Sequence, residues 1–323
     1  MKNAALLIVT ASALLTTPAA SLAQSRDAPW TPPSYGSDFG EVWYDGNAEM
    51  ATYNLTYPRY GELRTGTAVA ITVTEPFNPE ARVKSDTGGE GTHNVVKLNL
   101  VEDFQTGLYD YNLMTSVFVP TRAVNGLPAG SPTKVSFSMQ EWCGHVYQQA
   151  LFSGAKRGRP GVRMSVNSYF ENTADQQVKM DHPAGGISED ALILWARGLA
   201  GPRLEPGESI EVPVFRSMAV QRINHAKSVW EDATLTRRET PETVSVEAGD
   251  FACDVMVAEV GRRSYAFYVA QDQERMLIKA ERSDGYSLEL TAVERLPYWQ
   301  LNRNADEKML KEIGLERREQ GEM

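Results

Sequence analysis

The chain has 323 residues, of which 42% are hydrophobic, with 32 lysines and arginines, 42 aspartates and glutamates, and only two cysteines. This composition excludes disordered, collagen-like and disulfide-rich proteins, because the hydrophobic content is enough for a packed core. The net charge of −10 excludes binding to a nucleic-acid backbone, which requires a clustered positive field.

The first residues have the pattern of a secretory signal peptide. Lys2 supplies a positive charge, an apolar run follows, and the small residues Ser21 and Ala23 predict cleavage after Ala23. The apolar run has about 12 residues, whereas a membrane-spanning helix needs about 20. Residues 24–40 are rich in Pro and Ser and are predicted to form a tether. The sequence therefore predicts a soluble periplasmic or secreted protein with no membrane span after cleavage.

From residue 41 onward the main signal is an alternation of apolar and polar residues. Such alternation is typical of antiparallel strands with one buried face. It is clearest in residues 67–73, 96–100, 109–113, 135–139, 162–166, 210–214 and 243–296. The sequence therefore predicts a mainly β fold, with one or more antiparallel curved sheets in half-open barrels and few short helices.

Helical patterns are sparse. Residues 188–197 are predicted to be a helix, with Ser188 as its cap and Gly198 after its last turn. The charged tail, residues 301–323, contains a second candidate helix over 306–318, for which a frayed terminus is the alternative.

The domain organisation is predicted from weak periodicity in residues 216–240. The chain is divided there into an N-terminal β domain, residues 41–225, and a C-terminal β segment, residues 226–300, in which Pro297 ends the last strand. A single continuous curved sheet is the alternative.

One strand carries most of the candidate chemistry. Phe137 and Met139 are predicted to face the core. If the strand continues without a bulge, four polar or reactive side chains extend the same face, namely Glu141, Cys143, His145 and Tyr147. Burying a carboxylate and an imidazole costs several kcal/mol unless they are paired or hydrated, so this face is predicted to line a cavity or hold a polar network. Gly144 indicates a bend or bulge, which would change the register.

Cys143 has three interpretations. As a nucleophile it would be activated by His145, with Glu141 orienting the imidazole. As a structural residue it would pair with Cys253, because the predicted compartment is oxidising and the chain has two cysteines. A buried unpaired thiol is the third. The four histidines are widely spaced, and no metal or cofactor is predicted.

A turn near the start of the folded part carries Arg59, Glu62 and Arg64. Two arginines beside a glutamate can hold a ligand carboxylate or phosphate through bidentate hydrogen bonds. The same trio is also typical of a solvated hairpin with surface ion pairs.

Five motifs in residues 50–180 resemble a family of exported bacterial proteins. In chain order they are PRYGELRTGTAV, KLNL, YDYNLMTS, MQEWCGHVY and NSYFENTADQ. Members of this family are often labelled septum formation inhibitor Maf, although true Maf proteins are cytoplasmic nucleotide pyrophosphatases with an α/β fold. The resemblance implies export and supplies no catalytic residues. Residues 244–299 are similar to the closing strands of exported half-barrel families, akin in shape to lipoprotein-localisation factors that hold acyl chains in a curved sheet.

These features favour a non-catalytic binding module of the cell envelope for an apolar or amphiphilic, lipid-like ligand. The residues expected to bind it are Phe137, Met139, Tyr111, Met164, Glu141, His145, Tyr147, Arg59 and Glu62. A hydrolase or transferase that uses Cys143 and His145 is one alternative. An envelope-assembly protein whose sheet edges bind a protein partner is another.

Overall fold

The computed structural model describes residues 30–154 and 160–316. Their strands form one curved sheet of 17 strands. Almost all neighbouring strands are antiparallel, and the sheet is not closed into a barrel. The predicted mainly β fold, with a curved antiparallel sheet and few short helices, is therefore confirmed.

The first half of the sheet is a meander of nine strands. They are β1 (Ala48–Arg59), β2 (Glu62–Asn78), β3 (Val83–Lys84), β4 (His93–Thr106), β5 (Tyr109–Pro120), β6 (Lys134–Glu141), β7 (Gly144–Ser153), β8 (Gly161–Ser168) and β9 (Gln176–Asp181). Each strand pairs with the next, except that the short β3 pairs only with the end of β2, so β4 also pairs with β2.

The second half has eight strands and joins the first half through its last strand. They are β10 (Ile187–Ser188), β11 (Ser209–Phe215), β12 (Trp230–Arg237), β13 (Glu242–Val246), β14 (Gly249–Val260), β15 (Arg263–Ala270), β16 (Leu277–Arg282) and β17 (Ser287–Leu296). The β10–β11 pair is parallel, and β17 pairs with β1 along most of its length. Strands of both predicted segments, 41–225 and 226–300, belong to this one sheet.

Three α-helices are present in the described residues: α1 (Ser37–Trp43), α2 (Leu192–Ala196) and α3 (Met218–Ile223). Short 3-10 helices occur at Glu171–Thr173, Glu189–Ala191, Tyr298–Gln300 and Asn304–Leu310. Within residues 30–154 and 160–316, no helix has both the length and the apolar character that crossing a membrane requires.

The helix predicted over residues 188–197 is confirmed in position. It is a 3-10 turn that continues into α2, which ends at Ala196; Gly198 follows shortly after the helix, and its φ of 72° suits a glycine. Ser188 precedes it but makes no capping hydrogen bond with its side chain. In the tail, the chain forms a 3-10 helix over Asn304–Leu310 rather than a helix over 306–318, and residues 317–323 lie outside the described part.

Residues 30–40 belong to the segment predicted to be a tether, but two of their aromatic side chains, Trp30 and Phe39, are buried in the core. Trp30 is buried, and its indole N–H donates to the carbonyl oxygen of Gly185 at 3.0 Å. Phe39 and Trp43 of α1 are buried in the same core. The Pro and Ser content indicated a tether, but burial of the aromatic side chains in this segment outweighs it. The predicted signal peptide, residues 1–23, and residues 24–29 lie outside the described part.

One face of the sheet is buried, and the helical segment that follows β10 packs against it. The 3-10 turn Glu189–Ala191 contacts β5, α2 contacts β15, and α3 contacts β6. The segment therefore touches strands of both halves. Its buried side chains, including Leu194, Trp195 and Met218, belong to the same hydrophobic cluster as the strands. The interior is thus filled by the chain itself.

Candidate functional site

Strands β6 and β7 form a hairpin whose turn is Trp142-Cys143. Glu141, the last residue of β6, is paired with Gly144, the first of β7. Gly144 has a φ of 151°, which suits a glycine at this reversal. The strand therefore does not continue to Tyr147, and the expectation of one shared face is wrong. The bend that Gly144 indicated is a complete reversal of the chain.

The hairpin separates the four candidate side chains. His145 and Tyr147 are exposed on the outer face of β7, whereas Glu141 is half-buried at the end of the inward face of β6. Glu141 accepts a hydrogen bond at Oε2 from the backbone N–H of Cys143 at 2.7 Å. A hydrogen bond to Glu141 and the charge of that carboxylate raise the pKa of the exposed Cys143 thiol. A nucleophilic cysteine needs the opposite shift.

The two cysteines are free thiols in the structure. Cys143 is exposed at the hairpin turn, while Cys253 is buried in β14. Burial raises the pKa of Cys253 to about 11, and its thiol donates to the carbonyl oxygen of Phe251 at 3.6 Å. The disulfide predicted between Cys143 and Cys253 is not present.

The apolar candidates are core residues. Phe137, Met139 and Met164 are at most 1% exposed and belong to the hydrophobic cluster. Each of the three lies on the inward face of its strand, as the alternation predicts. Tyr111 is also buried, but its hydroxyl reaches a group of polar side chains at one end of the sheet.

That end of the sheet is formed by four turns, which we call the hairpin end: residues 60–61, 107–108, 142–143 and 169–175. They lie together because β1, β4, β6 and β8 all run toward this end. Nine large hydrophobic side chains in the described part are exposed, and six of them lie in or within four residues of these turns. The six are Tyr60, Leu63, Leu108, Trp142, Tyr147 and Tyr169. The fold therefore concentrates its exposed apolar surface at the hairpin end.

Aromatic contacts connect three of these turns. The centroid of the Tyr109 ring lies 6.3 Å from the centroid of the Trp142 ring and 5.9 Å from that of the Tyr111 ring. The Tyr60 and Tyr111 hydroxyls are 2.7 Å apart, and the Tyr109 hydroxyl donates to the Tyr60 hydroxyl at 3.5 Å. The exposed rings of Tyr60 and Trp142 thus contact a group of tyrosines whose hydroxyls are hydrogen-bonded to one another.

Arg59 lies inside this network. Its Nε and Nη2 donate to the Tyr111 hydroxyl at 3.3 and 3.0 Å, and Nη2 also donates to the Tyr60 hydroxyl at 3.1 Å. Its Nη1 donates to the carbonyl oxygen of Ile223 at 3.2 Å. Burial opposes the charged form, but the interactions with Tyr111 and Tyr60 raise the pKa of Arg59 overall.

The predicted Arg59, Glu62 and Arg64 trio is divided between two roles. Arg64 and Glu62 form a surface ion pair at 2.6 Å, with Glu62 largely exposed. Such a pair contributes little to stability. Arg59 turns away from the pair toward the tyrosines, so only this member of the trio lies in the hydroxyl network.

Arg222, on α3, was not identified from the sequence. It is 2% exposed, and its Nε and Nη1 have no hydrogen-bond partner among the described residues. Its guanidinium lies 3.8 Å from the centroid of the Phe170 ring. Burial and the charge of Arg59 lower the pKa of Arg222, while Glu141 acts in the opposite direction.

A cleft of about 480 Å³ lies beside Arg59 and Tyr60. Its wall includes Arg59 and Tyr60 on the first turn, Ile223 at the end of α3, and Arg282 and Asp284 near the β16–β17 turn. Ligand pockets commonly have volumes of about 300 to 1,000 Å³. The cleft therefore has the size of a site for a small ligand or one end of a larger ligand.

A second, smaller cavity of about 80 Å³ lies in the interior. It shares Tyr57 and Arg282 with the cleft and is lined by the buried carboxyl group of Glu102 and the partly buried one of Asp190. Burial raises the pKa of each carboxyl group to about 7, although Tyr286 donates a hydrogen bond to Glu102. The sequence reasoning did not select either carboxylate.

Within the described residues, no three His, Cys, Asp or Glu side chains come together in a way that could hold a metal ion. Comparison with protein-family models, with curated proteins and with solved structures finds no match to this chain.

Proposed function

We propose that the protein is a non-catalytic binding module of the cell envelope that holds an amphiphilic, lipid-like ligand at the hairpin end. The observation that carries this proposal is the concentration of exposed aromatic and aliphatic side chains there. Trp142 is 69% exposed, Tyr169 is 78% exposed and Leu108 is 79% exposed. Exposed apolar patches of this kind commonly mark binding sites.

The side chains suit a ligand with one apolar and one polar end. Tyr and Trp combine an apolar ring with a polar atom, and both are typical of boundaries between lipid and water. At the same end of the sheet, the hydroxyls of Tyr60 and Tyr111 and the cation of Arg59 form a hydrogen-bonded polar group. An amphiphile could place its chain on the rings and its polar group near Arg59.

The hairpin end is favoured over the buried face of the sheet because the cavity found on that face among the described residues is small. The interior cavity of about 80 Å³ is far below the roughly 300 Å³ at which ligand pockets begin. Phe137 and Met164, expected to line a ligand groove, pack instead against other core residues.

Native mass spectrometry of the mature protein, purified gently from its own cells, tests for a bound ligand. We expect a lipid-sized mass that is lost on denaturation. To locate the site, purified protein is titrated with a monoacylglycerol whose chain carries bromine, and quenching of tryptophan fluorescence is followed. We expect Trp142→Ser to weaken binding about tenfold, because a lost aromatic contact costs about 1 to 2 kcal/mol.

Trp299→Ser is the matched control, since Trp299 is also exposed but lies outside the hairpin end. Its affinity should equal that of the unaltered protein. Equal affinities for both variants, or no binding by the unaltered protein, would contradict a site at the hairpin end.

A further inference from the structure

Strand β9 is an open edge of the sheet. Within the described residues it pairs with β8 and with no other strand. Val178 and Met180 point inward and pack against the core, whereas Gln177 and Lys179 are exposed. The strand at the other end of the pairing order, β10, is buried instead. An exposed edge presents backbone N–H and C=O groups with which another strand can pair.

The ladder between β8 and β9 shows which backbone groups are open. Along an antiparallel strand, residues that bond to the partner strand alternate with residues whose N–H and C=O groups point away from it. The backbone N–H of His182, just after β9, donates to the carbonyl oxygen of Pro160, just before β8, at 3.3 Å. This bond continues the ladder by one residue. The even-numbered residues of β9 therefore bond to β8, and the odd-numbered residues point to the open side.

Two residues of β9 are left with open backbone groups. The carbonyl oxygen of Asp181 points away from β8, as the alternation requires, and accepts the indole N–H of Trp230 at 2.9 Å. This contact closes one end of the edge. Gln177 and Lys179 point the same way, and their backbone groups bond to no other backbone group in the part of the chain that the structure describes. They leave two N–H and two C=O groups for a further strand.

Positive side chains lie on the outer face beside this edge. Lys134 on β6, Leu151 on β7, Arg163 on β8 and Lys179 on β9 form one row of directly opposite residues, which we call the cationic row. Arg163 and Lys179 face each other in a pair without ladder hydrogen bonds, where side chains come closest. Like charges in this arrangement destabilise a sheet. Neither side chain has an ion-pair partner among the described residues.

A fourth cation, Arg82, is held beside the cationic row. Its guanidinium donates to the carbonyl oxygens of Thr133 and Phe152 at 2.9 Å and to the Ser153 hydroxyl at 2.6 Å. Thr133 and Phe152 directly adjoin the members of the row on β6 and β7, and none of the three acceptors is charged. Burial and, to a lesser degree, the charge of Arg163 lower the pKa of Arg82 to about 10. The guanidinium therefore stays charged at neutral pH, and positive charge is concentrated beside this edge of an acidic protein.

We infer that β9 binds an extended acidic segment of a protein partner, which adds to the sheet as a further strand. The open groups of Gln177 and Lys179 pair with the main chain of the segment. Its carboxylates lie beside Lys179 and Arg163 on the outer face and neutralise them. Because side chains alternate along a strand, the acidic residues of the segment are two apart. This interaction is independent of the ligand proposed for the hairpin end.

The features of the edge favour this partner over two others. A second copy of the chain fits less well, because its own β9 would bring the same positive charges to the edge. A surface of anionic lipid would neutralise the cationic row but would leave the open backbone groups without partner strands. Only an acidic strand satisfies both the backbone groups and the charges.

The test measures binding of short fluorescein-labelled peptides to the mature protein by fluorescence anisotropy at low salt. The first peptide alternates threonine and glutamate, the second has the same sequence with a methyl group on the backbone nitrogen of each glutamate, and the third alternates threonine and glutamine. We expect the first to bind at least about tenfold more tightly than either of the others. Methylation removes the backbone donors, and glutamine removes the charge.

Variants of the protein separate charge from backbone pairing. Lys179→Glu should weaken binding of the acidic peptide at least about tenfold. Gln177→Pro keeps every charge but removes one outward N–H, at a position where an edge strand tolerates proline, and should weaken binding about fivefold. Lys84→Glu is the matched control and should keep the full affinity, since Lys84 is exposed on the short strand β3 but pairs with Asp86. If Gln177→Pro does not fold, as judged by circular dichroism, the methylated peptide decides.

Several results would overturn the edge site. Failure of the acidic peptide to bind the unaltered protein would do so directly. Equal affinity for the methylated peptide would assign binding to charge alone, and an equal loss in Lys84→Glu would assign it to general surface charge. A dimer in sedimentation that Gln177→Pro dissociates would place a second copy at the edge. Binding to phosphatidylglycerol vesicles that Lys179→Glu abolishes, without binding of the peptide, would place a lipid surface there.

Discussion

Replacing Glu102 with glutamine should make the protein more stable at alkaline pH. Glu102 lies on β4 at 3% exposure, beside the interior cavity, and Tyr286 donates a hydrogen bond to it. Burial raises its pKa from the ordinary value of 4.5 to about 7. Above that pH the folded protein must hold a charged carboxylate in its interior, whereas glutamine is neutral at every pH.

The magnitude follows from the pKa difference. The raised pKa means that the folded state binds the proton more tightly than the unfolded state between about pH 4.5 and 7. The free energy of unfolding therefore falls as the pH rises through this range. A difference of about 2.5 pKa units corresponds to about 3 kcal/mol, reached fully above about pH 7. Burial also raises the pKa of Asp190 to about 7, so this group lowers the free energy of unfolding in the same direction as the pH rises.

The assay is urea unfolding followed by circular dichroism at several pH values from about 5 to 8. The unaltered protein should lose stability as the pH rises. Glu102→Gln should lose less stability over this range. The variant should have nearly the same free energy of unfolding as the unaltered protein at about pH 5, and a value up to about 3 kcal/mol higher at about pH 8. Glu90→Gln, at an exposed turn position, is the control and should follow the unaltered protein. Parallel curves for Glu102→Gln and the unaltered protein would refute the reasoning.

Two further predictions concern the buried ion pair and the thiols. Arg197 and Glu49 are paired at 2.6 Å, and each side chain is 2% exposed. Arg197→Met should therefore lower the free energy of unfolding by about 3 to 5 kcal/mol in urea unfolding, because it leaves a lone buried carboxylate. Adding Glu49→Met should recover part of this loss, and no recovery would contradict the explanation. In the native protein, iodoacetamide should label Cys143 and spare Cys253 until unfolding. Glu141→Gln should speed the labelling near neutral pH, because Glu141 raises the pKa of the Cys143 thiol, and an unchanged rate would refute that cause.

The alternation of side chains predicted many of the strands, because one buried face imposes a period of two on each, but it did not identify β1, β9 or β12. Phe137 and Met139 on β6 are buried as that period requires, and Pro297 follows the end of β17. The reversal after Glu141 was not predicted, since Trp142 and Cys143 are not residues that favour turns.

The residues of the candidate site also differ in whether the sequence could have identified them. Glu102 could have been identified, because it interrupts the inward row that contains Leu98, Leu100 and Phe104 on the same strand. Arg222 could not, because it lies in a segment of weak periodicity and contacts Phe170, on a distant part of the chain, only in the folded protein. A local pattern can predict that a carboxylate points inward, but not which cation lies near it.

The filled interior limits where on the sheet a ligand can bind. A curved sheet with an apolar face leaves a groove only if no other part of the chain covers that face. Here the segment from β10 to α3 covers it, with Trp195 and Met218 at most 1% exposed in the shared core. Arg197 of the same segment is anchored to Glu49 on β1 by two hydrogen bonds of 2.6 and 2.7 Å. Because displacing the segment would break this buried pair, we propose the hairpin end, where the rings are already exposed, rather than the interior as the place for the amphiphile.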